Sequence, residues 1–297
     1  MAELRRITLT ADRREGDRFR LTDEARHYLQ RVLRLGLGDR CLVADGEGQI
    51  WEVELVLGAT AGESDRVVFD AHIISEVGCH GVGAMGSASP ELPIPLVLVA
   101  AVPKGNGFDE VVRQVTELGV ASIVPVISDR TVLDPSPKRV DRWRRIATEA
   151  FEQCERSVIP QVLTPQRFDH WLKTQPIHTH DRPLPPPLSS PSILKAIAVA
   201  RSDAPSLRQF ILTGETSAAA HLQTPNLLAT NSQTPPPSAI IIAIGPEGGW
   251  TPRERALAIE AGFCEISLGS RVLRAVTASV AAVAIGADAI ETVGSSV

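Results

Sequence analysis

From residue 239 the chain reads Ala-Ile-Ile-Ile-Ala-Ile and then Gly-Pro-Glu-Gly-Gly-Trp. An unbroken apolar run of that length, stopped by glycine, predicts a buried strand over 240–244. The glycines that follow, Gly245, Gly248 and Gly249, leave the backbone bare enough for a ligand to touch it. Thr251, Pro252 and Glu254 then mark a helix start: a capping hydroxyl, a proline suited to the first turn, and a carboxylate three residues after the cap. A shorter strand around Ile266–Leu268 leads into a second glycine turn, so two bare loops leave the same edge of one sheet. Ligands bind at that edge in open α/β sheets. Thr277–Ile290 predicts a helix of small side chains, suited to close packing against other backbone.

The rest of the pattern divides the chain. Over residues 1–75, Arg6–Thr10, Cys41–Ala44, Ile50–Leu57 and Val67–Ile74 are strand-like, one helix interrupts them, and Asp45-Gly46-Glu47-Gly48 is a hairpin turn. A small barrel is the expected result. Residues 76–93 shift to Gly, Ala and Ser and predict a linker. Residues 94–297 alternate strand and helix: strands at Pro95–Val102, Ile123–Ile127 and Phe210–Thr213, helices at Gly107–Gly119 and Val140–Cys154. That alternation predicts an α/β domain with a mostly parallel sheet. Two Pro-rich tracts, around 182–187 and 233–237, fit neither helix interior nor central strand and are expected as surface insertions.

Composition narrows the class. At 297 residues, with 43% hydrophobic and 22% charged content, the chain has the make-up of an ordinary globular protein of two domains. A net charge of -5 excludes binding of nucleic acid by overall positive charge and leaves only local basic patches. Cys41, Cys79, Cys154 and Cys264 are too scattered for a disulfide framework or a zinc site. The N-terminus lacks a signal-peptide core and no run reaches membrane-spanning length, so the expected compartment is the cytoplasm, with no membrane partner.

Several motifs carry a resemblance. Gly245-Pro246-Glu247-Gly248-Gly249-Trp250, Leu268-Gly269-Ser270-Arg271-Val272-Leu273-Arg274 and Thr277-Ala278 resemble the C-terminal signature of the RsmE family, SPOUT-class methyltransferases that methylate N3 of a uridine in 16S ribosomal RNA. Thr116-Glu117-Leu118-Gly119-Val120, Glu149-Ala150 with Glu152-Gln153 and 156–160, and His27-Tyr28-Leu29 through Arg34 are similar to further motifs of that family, in order. The resemblance implies a PUA-like N-terminal β-barrel, a C-terminal SPOUT domain whose mostly parallel sheet carries a trefoil knot, a homodimer, and S-adenosylmethionine as methyl donor. It implies donor contacts at Leu212, Gly214, Ile244, Gly245, Glu247, Gly248, Leu268, Gly269 and Leu273. One position departs: the family pattern has Glu before Thr277-Ala278, and here it is Val276.

Methyl transfer from a sulfonium chiefly needs donor and acceptor aligned, and no metal. The glycine loop lacks the Gly-Lys-Ser/Thr of a triphosphate site, carries the negative Glu247, and lies too near the C-terminus for a dinucleotide fold. Uridine N3 is protonated at neutral pH, so the reaction calls for a base or for a cation facing the ring oxygens. Arg156 is the candidate cation. RNA contacts fall to basic patches, with Arg5, Arg6, Arg34 and Arg139 chief among them, and a stacked or paired target base has to be flipped out. His178-Thr179-His180 has no third ligand near it in sequence and predicts no metal site. Two other readings remain: a non-catalytic RNA-binding homologue, in which Val276 marks lost activity, and a methyltransferase acting on another RNA base.

Overall fold

The computed structural model describes residues 4–58, 69–77, 90–131, 135–174, 193–214 and 237–294. They form two compact units, Met1–Glu91 with Phe151–Ile159, and Leu92–Ala150 with Pro160–Val297. Most of the expected linker, both Pro-rich tracts except Pro237, and His178 and His180 lie outside the described residues.

The first unit carries β1 (Arg6–Thr8), β2 (Arg14–Glu15), β3 (Arg18–Phe19), α1 (Asp23–His27), β4 (Arg40–Ala44), β5 (Ile50–Leu57) and β6 (Phe69–Glu76). Its sheet runs β1-β4-β5-β6-β3-β2, with β1 parallel to β4 and the other pairs antiparallel. The hairpin between β4 and β5 forms where the sequence places it. Asp45 Oδ1 accepts hydrogen bonds from the Glu47 and Gln49 amides at 2.7 and 3.0 Å, the self-bonding that makes Asp a turn residue. Phe19, Leu29, Cys41, Val43, Trp51, Val53 and Leu55 bury one face of the sheet, and Phe19 and Trp51 meet with ring centres 5.0 Å apart. The sequence pattern misses β2 and β3, because strands of two residues have no periodicity to read.

Nor does the pattern show that Phe151–Ile159 belongs to this unit. Phe151 is fully buried with Ala44 and Ile50, and the Ile159 amide donates to the Gly46 carbonyl at 2.8 Å. Burial also pushes the Cys41 thiol up to about 12. The thiolate is the reactive form, so we expect Cys41 to resist alkylation at pH 8 in the folded protein and to react on denaturation, as peptide mass mapping would show.

The second unit carries β7 (Leu96–Ala101), α2 (Gly107–Glu117), β8 (Ser122–Ile127), α3 (Pro137–Gln153, its last turn grouping with the first unit), β9 (Gln161–Val162), β10 (Gln166–Arg167), α4 (Phe168–Thr174), β11 (Ile193–Ala198), α5 (Leu207–Thr213), β12 (Ala239–Ile244), α6 (Pro252–Glu260), β13 (Cys264–Ile266) and α7 (Ala275–Gly294). The sheet order is β10-β8-β7-β12-β11-β13, with β9 also on β8, and every pair is parallel. Both faces are covered, which is why its strands read as unbroken apolar runs. Leu96, Leu98, Ile240, Ile242 and Ile244 pack on one side with residues of α2, α5 and α7. Val97, Val99, Ile241 and Ala243 pack on the other with Trp171 of α4 and with Trp250.

Two expectations are corrected here. Phe210–Thr213 is not a strand but the end of α5. The strand is β11, hidden in sequence because Lys195 interrupts its apolar run. Lys195 is 8% exposed, donates to the Ala261 carbonyl at 3.0 Å, and has its pKa lowered by burial. Contrary to the sequence reading, α7 is long and apolar enough to cross a membrane by length and composition. Its apolar character has a packing explanation in this fold, because Ala282, Val283, Ala289 and Ile290 are buried in the core shared with β7 and β12. A side-chain carbon on Gly286 would come 3.0 Å from Leu96, so small residues let α7 lie close to the sheet.

Candidate functional site

Strands β12, β11 and β13 lie side by side, with Ile197 level with both Ala243 and Glu265, so their C-terminal ends open onto one edge. The loops that follow enclose a cavity of about 480 Å³, lined by Ala198–Arg201, Ile244–Trp250, Arg255, residues 268–269 and 271–273, Ala275 and Ala278. That volume suits a nucleoside-sized ligand.

Each loop is held by its own sequence. At the start of α6, Thr251 Oγ1 accepts from the Glu254 amide at 3.2 Å, and Glu254 Oε2 accepts from the Thr251 amide at 2.8 Å. This is the predicted capping box. The buried Glu254 carboxylate also accepts the Asp129 amide at 2.8 Å, which ties the loop after β8 to the glycine loop. Trp250 stacks on Phe168 with centroids 4.3 Å apart, and a side-chain carbon on Gly245 would sit 3.2 Å from that indole. Gly245 is thus required by packing as well as by the cavity. A side-chain carbon on Gly248 would lie 3.1 Å from Arg130 Cδ, and Arg130 in turn donates to the Gly248 carbonyl. Gly249 and Gly269 have φ of +69° and +109°, which ordinary side chains disfavour.

Of the arginines in the cavity wall, one is neutralised. Arg255 forms a two-pronged bond to Glu265 at 2.7 and 2.8 Å, and that hydrogen bonding raises its pKa. Outside the cavity, Arg167 and Arg253 bridge Asp129 and Asp169. Desolvation pushes the Asp169 carboxyl up, but the Arg253 hydrogen bond and the charges of Arg167 and Arg253 outweigh it and leave its pKa lowered. A depressed carboxylate stabilises the fold at neutral pH and loses that contribution as pH falls through the lowered value. Arg201 and Arg271 line the cavity with no ion pair or hydrogen-bond partner for their side chains among the described residues.

Seven of the nine expected donor residues, Ile244, Gly245, Glu247, Gly248, Leu268, Gly269 and Leu273, come together in this one cavity. Leu212 and Gly214 do not line it. Leu212 packs against the core, and Gly214, at φ +65°, caps α5 with its amide on the Phe210 carbonyl. Ala198–Arg201, which follow the strand that the sequence pattern did not show, also line the cavity. Val276 is not part of the wall. Its Cγ2 lies 3.0 Å from where a Gly107 side chain would begin, an apolar contact between α7 and α2.

Arg156 is corrected more sharply. Its side chain is 4% exposed and pairs with Glu91 at 2.5 Å, and the same carboxylate accepts the Ser157 and Val158 amides at 2.9 and 3.0 Å. Such a guanidinium is a structural element of the first unit and not one presented to a ligand. Of the expected RNA contacts, Arg5 and Arg34 are exposed. Arg6 is turned inward: it lies 4.6 Å over the Phe151 ring, with Nε and Nη2 buried and unbonded and its pKa lowered by burial. Arg139 holds the Gly105 carbonyl and Asn106. Among the described residues, no group of three or more His, Cys, Asp or Glu side chains is placed to hold a metal.

Comparison with known proteins places this arrangement. Residues 90–287 match a family model described as an RNA methyltransferase domain, and residues 14–57 match an RNA methyltransferase PUA domain. The ribosomal RNA small subunit methyltransferase E of Synechocystis is 38% identical over 89% of this chain and 71% of its own length. The Bacillus subtilis protein of the same name is 27% identical over 89% and 87%. A crystal structure of ribosomal RNA small subunit methyltransferase E from Neisseria gonorrhoeae, bound to S-adenosylmethionine, superposes with a TM-score of 0.67 at 26% identity, covering 95% of this chain and 96% of that one.

Proposed function

The chain belongs to the RNA methyltransferase family, and from that premise we propose that it methylates N3 of a uridine in the 16S RNA of the small ribosomal subunit, with S-adenosylmethionine as donor. The observation that carries the reading is the cavity at the C-terminal ends of β12, β11 and β13. Its size, its exposed glycine backbone and its apolar Ile244, Leu268 and Leu273 suit an adenosyl group, and the Trp250 indole N–H in its wall is buried with no hydrogen-bond partner among the described residues. The donor supplies an activated methyl group. The protein's task is to hold donor and base in line and to keep water out. The names of the relatives point to the small subunit, and the donor in the Neisseria gonorrhoeae structure supports the cofactor.

We extend the reading to a homodimer, a knotted path through the 244–273 loops, RNA contacts from Arg5 and Arg34, and a cytoplasmic setting where ribosomes are assembled. Mass spectrometry of 16S RNA from a strain lacking the protein tests the substrate. The 3-methyluridine should disappear and return on complementation. An unchanged level rules this substrate out, and loss of a different methylated base would select the other enzyme reading. Val276 packs against α2 outside the cavity wall, so its departure from the family pattern leaves the cavity that carries this reading undisturbed.

A further inference from the structure

The structure assigns to Arg201 a role in contacting the acceptor: we propose that its guanidinium receives the negative charge of the target pyrimidine ring once N3 has lost its proton. The inference rests on the proposed function, which requires that an RNA base reach the donor at the mouth of the cavity. N3 methylation creates a specific need. The N3–H bond must break, its proton leaves to solvent, and the electron pair spreads onto the two ring carbonyl oxygens. A cation placed there beforehand stabilises that charge. Arg156 does not meet the need, because it is spent on Glu91.

The cavity wall contains three arginines, with Glu247 as its remaining ionisable group. Arg255 is neutralised by Glu265, which leaves Arg201 and Arg271. Both are exposed, and Arg271 lies in the turn after Gly269. Arg201 differs in where its loop sits and how that loop is held. It follows β11, the middle of the three strands, so its loop lies between the two glycine loops. That loop is pinned at both ends, by the Val199 amide on the Ile266 carbonyl at 2.9 Å and by the Ser267 amide on the Pro205 carbonyl at 2.9 Å. Ser202 Oγ closes the turn onto the Val199 carbonyl at 3.2 Å. Within this turn Arg201 has φ +55°, a conformation in which glycine is at ease and a side chain is strained. Backbone strain is thus held at a position that carries an unpaired guanidinium in the cavity wall. The backbone that carries Arg201 is thus fixed, and its planar guanidinium is free to donate to a carbonyl oxygen.

The test needs no methyl transfer. A short RNA carrying the target uridine is compared with the same RNA carrying 5-fluorouridine, whose N3 is more acidic and which is largely anionic at pH 8.5. The wild type is expected to bind the fluorinated RNA about tenfold more tightly at pH 8.5 and equally at pH 6, the gain of a hydrogen bond to a charged acceptor. Arg201→Gly, which suits the backbone and keeps the melting temperature, should erase that preference, and Arg201→Lys should restore part of it. If Arg201→Gly keeps the preference, the proposal fails while the function stands. If it weakens both RNAs equally and lowers the salt dependence, Arg201 is a phosphate contact and the proposal also fails. A wild type that does not distinguish the two RNAs overturns it as well, and a wild type that binds neither removes the acceptor reading too.

Discussion

Gly269→Val should reduce the affinity for S-adenosylmethionine by about tenfold or more, whereas Gly249→Asn should leave it within about twofold. Both glycines have positive φ, but they differ in kind. At φ +69° Gly249 lies in the left-handed region that Asn tolerates, with nothing within 4 Å of a new side chain. At φ +109° Gly269 lies beyond that region, so a β-branched residue there costs about 1–3 kcal/mol or forces the turn to another conformation. The turn is a cavity wall, its amide held by Ser267 Oγ at 3.1 Å, and moving it moves Leu268 and Leu273 with it. Titration calorimetry on both variants checks the contrast. Equal affinities would show that the turn reverses the chain without contributing to a binding surface.

The second large effect falls on stability. Glu91→Ala should cost the first unit about 3–5 kcal/mol, the range for removing one member of a buried ion pair. The cost is high because one carboxylate serves several donors: Arg156 Nε at 3.1 Å, Arg156 Nη2 at 2.5 Å, and the Ser157 and Val158 amides. Without it, a guanidinium 4% exposed loses its bonds to this carboxylate, and the Ser157 and Val158 amides lose this acceptor. Urea unfolding followed at Trp51, after the other tryptophans are replaced by Phe, would measure the loss. Glu91→Gln should lie between the wild type and Glu91→Ala, because the amide keeps one acceptor oxygen but faces Arg156 with an NH₂. A change below about 1 kcal/mol would mean the pair is no more than a surface contact.

These predictions also show what the sequence carries and what it leaves out. The strand-to-loop-to-helix run from Ile240 to Glu254 is legible because every cue in it is local: an apolar run, glycines, and a cap whose partners lie three residues apart. The Asp45–Gln49 turn is legible for the same reason. Strand β11 is not, because the carbonyl that accommodates Lys195 belongs to Ala261, 66 residues away. The interrupted run hides with it the Ala198–Arg201 segment that follows β11 and lines the cavity. Motif position and charge point to Arg156 as the catalytic cation. Its partner Glu91 is 65 residues distant, so only the fold shows the ion pair. Contacts between neighbours in sequence can be read from residue type, and contacts across the fold decide which charges remain free.

The central claim is that the cavity where β12, β11 and β13 end holds the methyl donor. A crystal structure of the protein grown with saturating S-adenosylmethionine tests it most directly. The adenosyl group should lie between the 245–250 and 268–273 loops, against Ile244, Leu268 and Leu273 and the backbone of Gly248 and Gly269. Donor density at another place on the chain, or none while this cavity remains open and accessible, would contradict it.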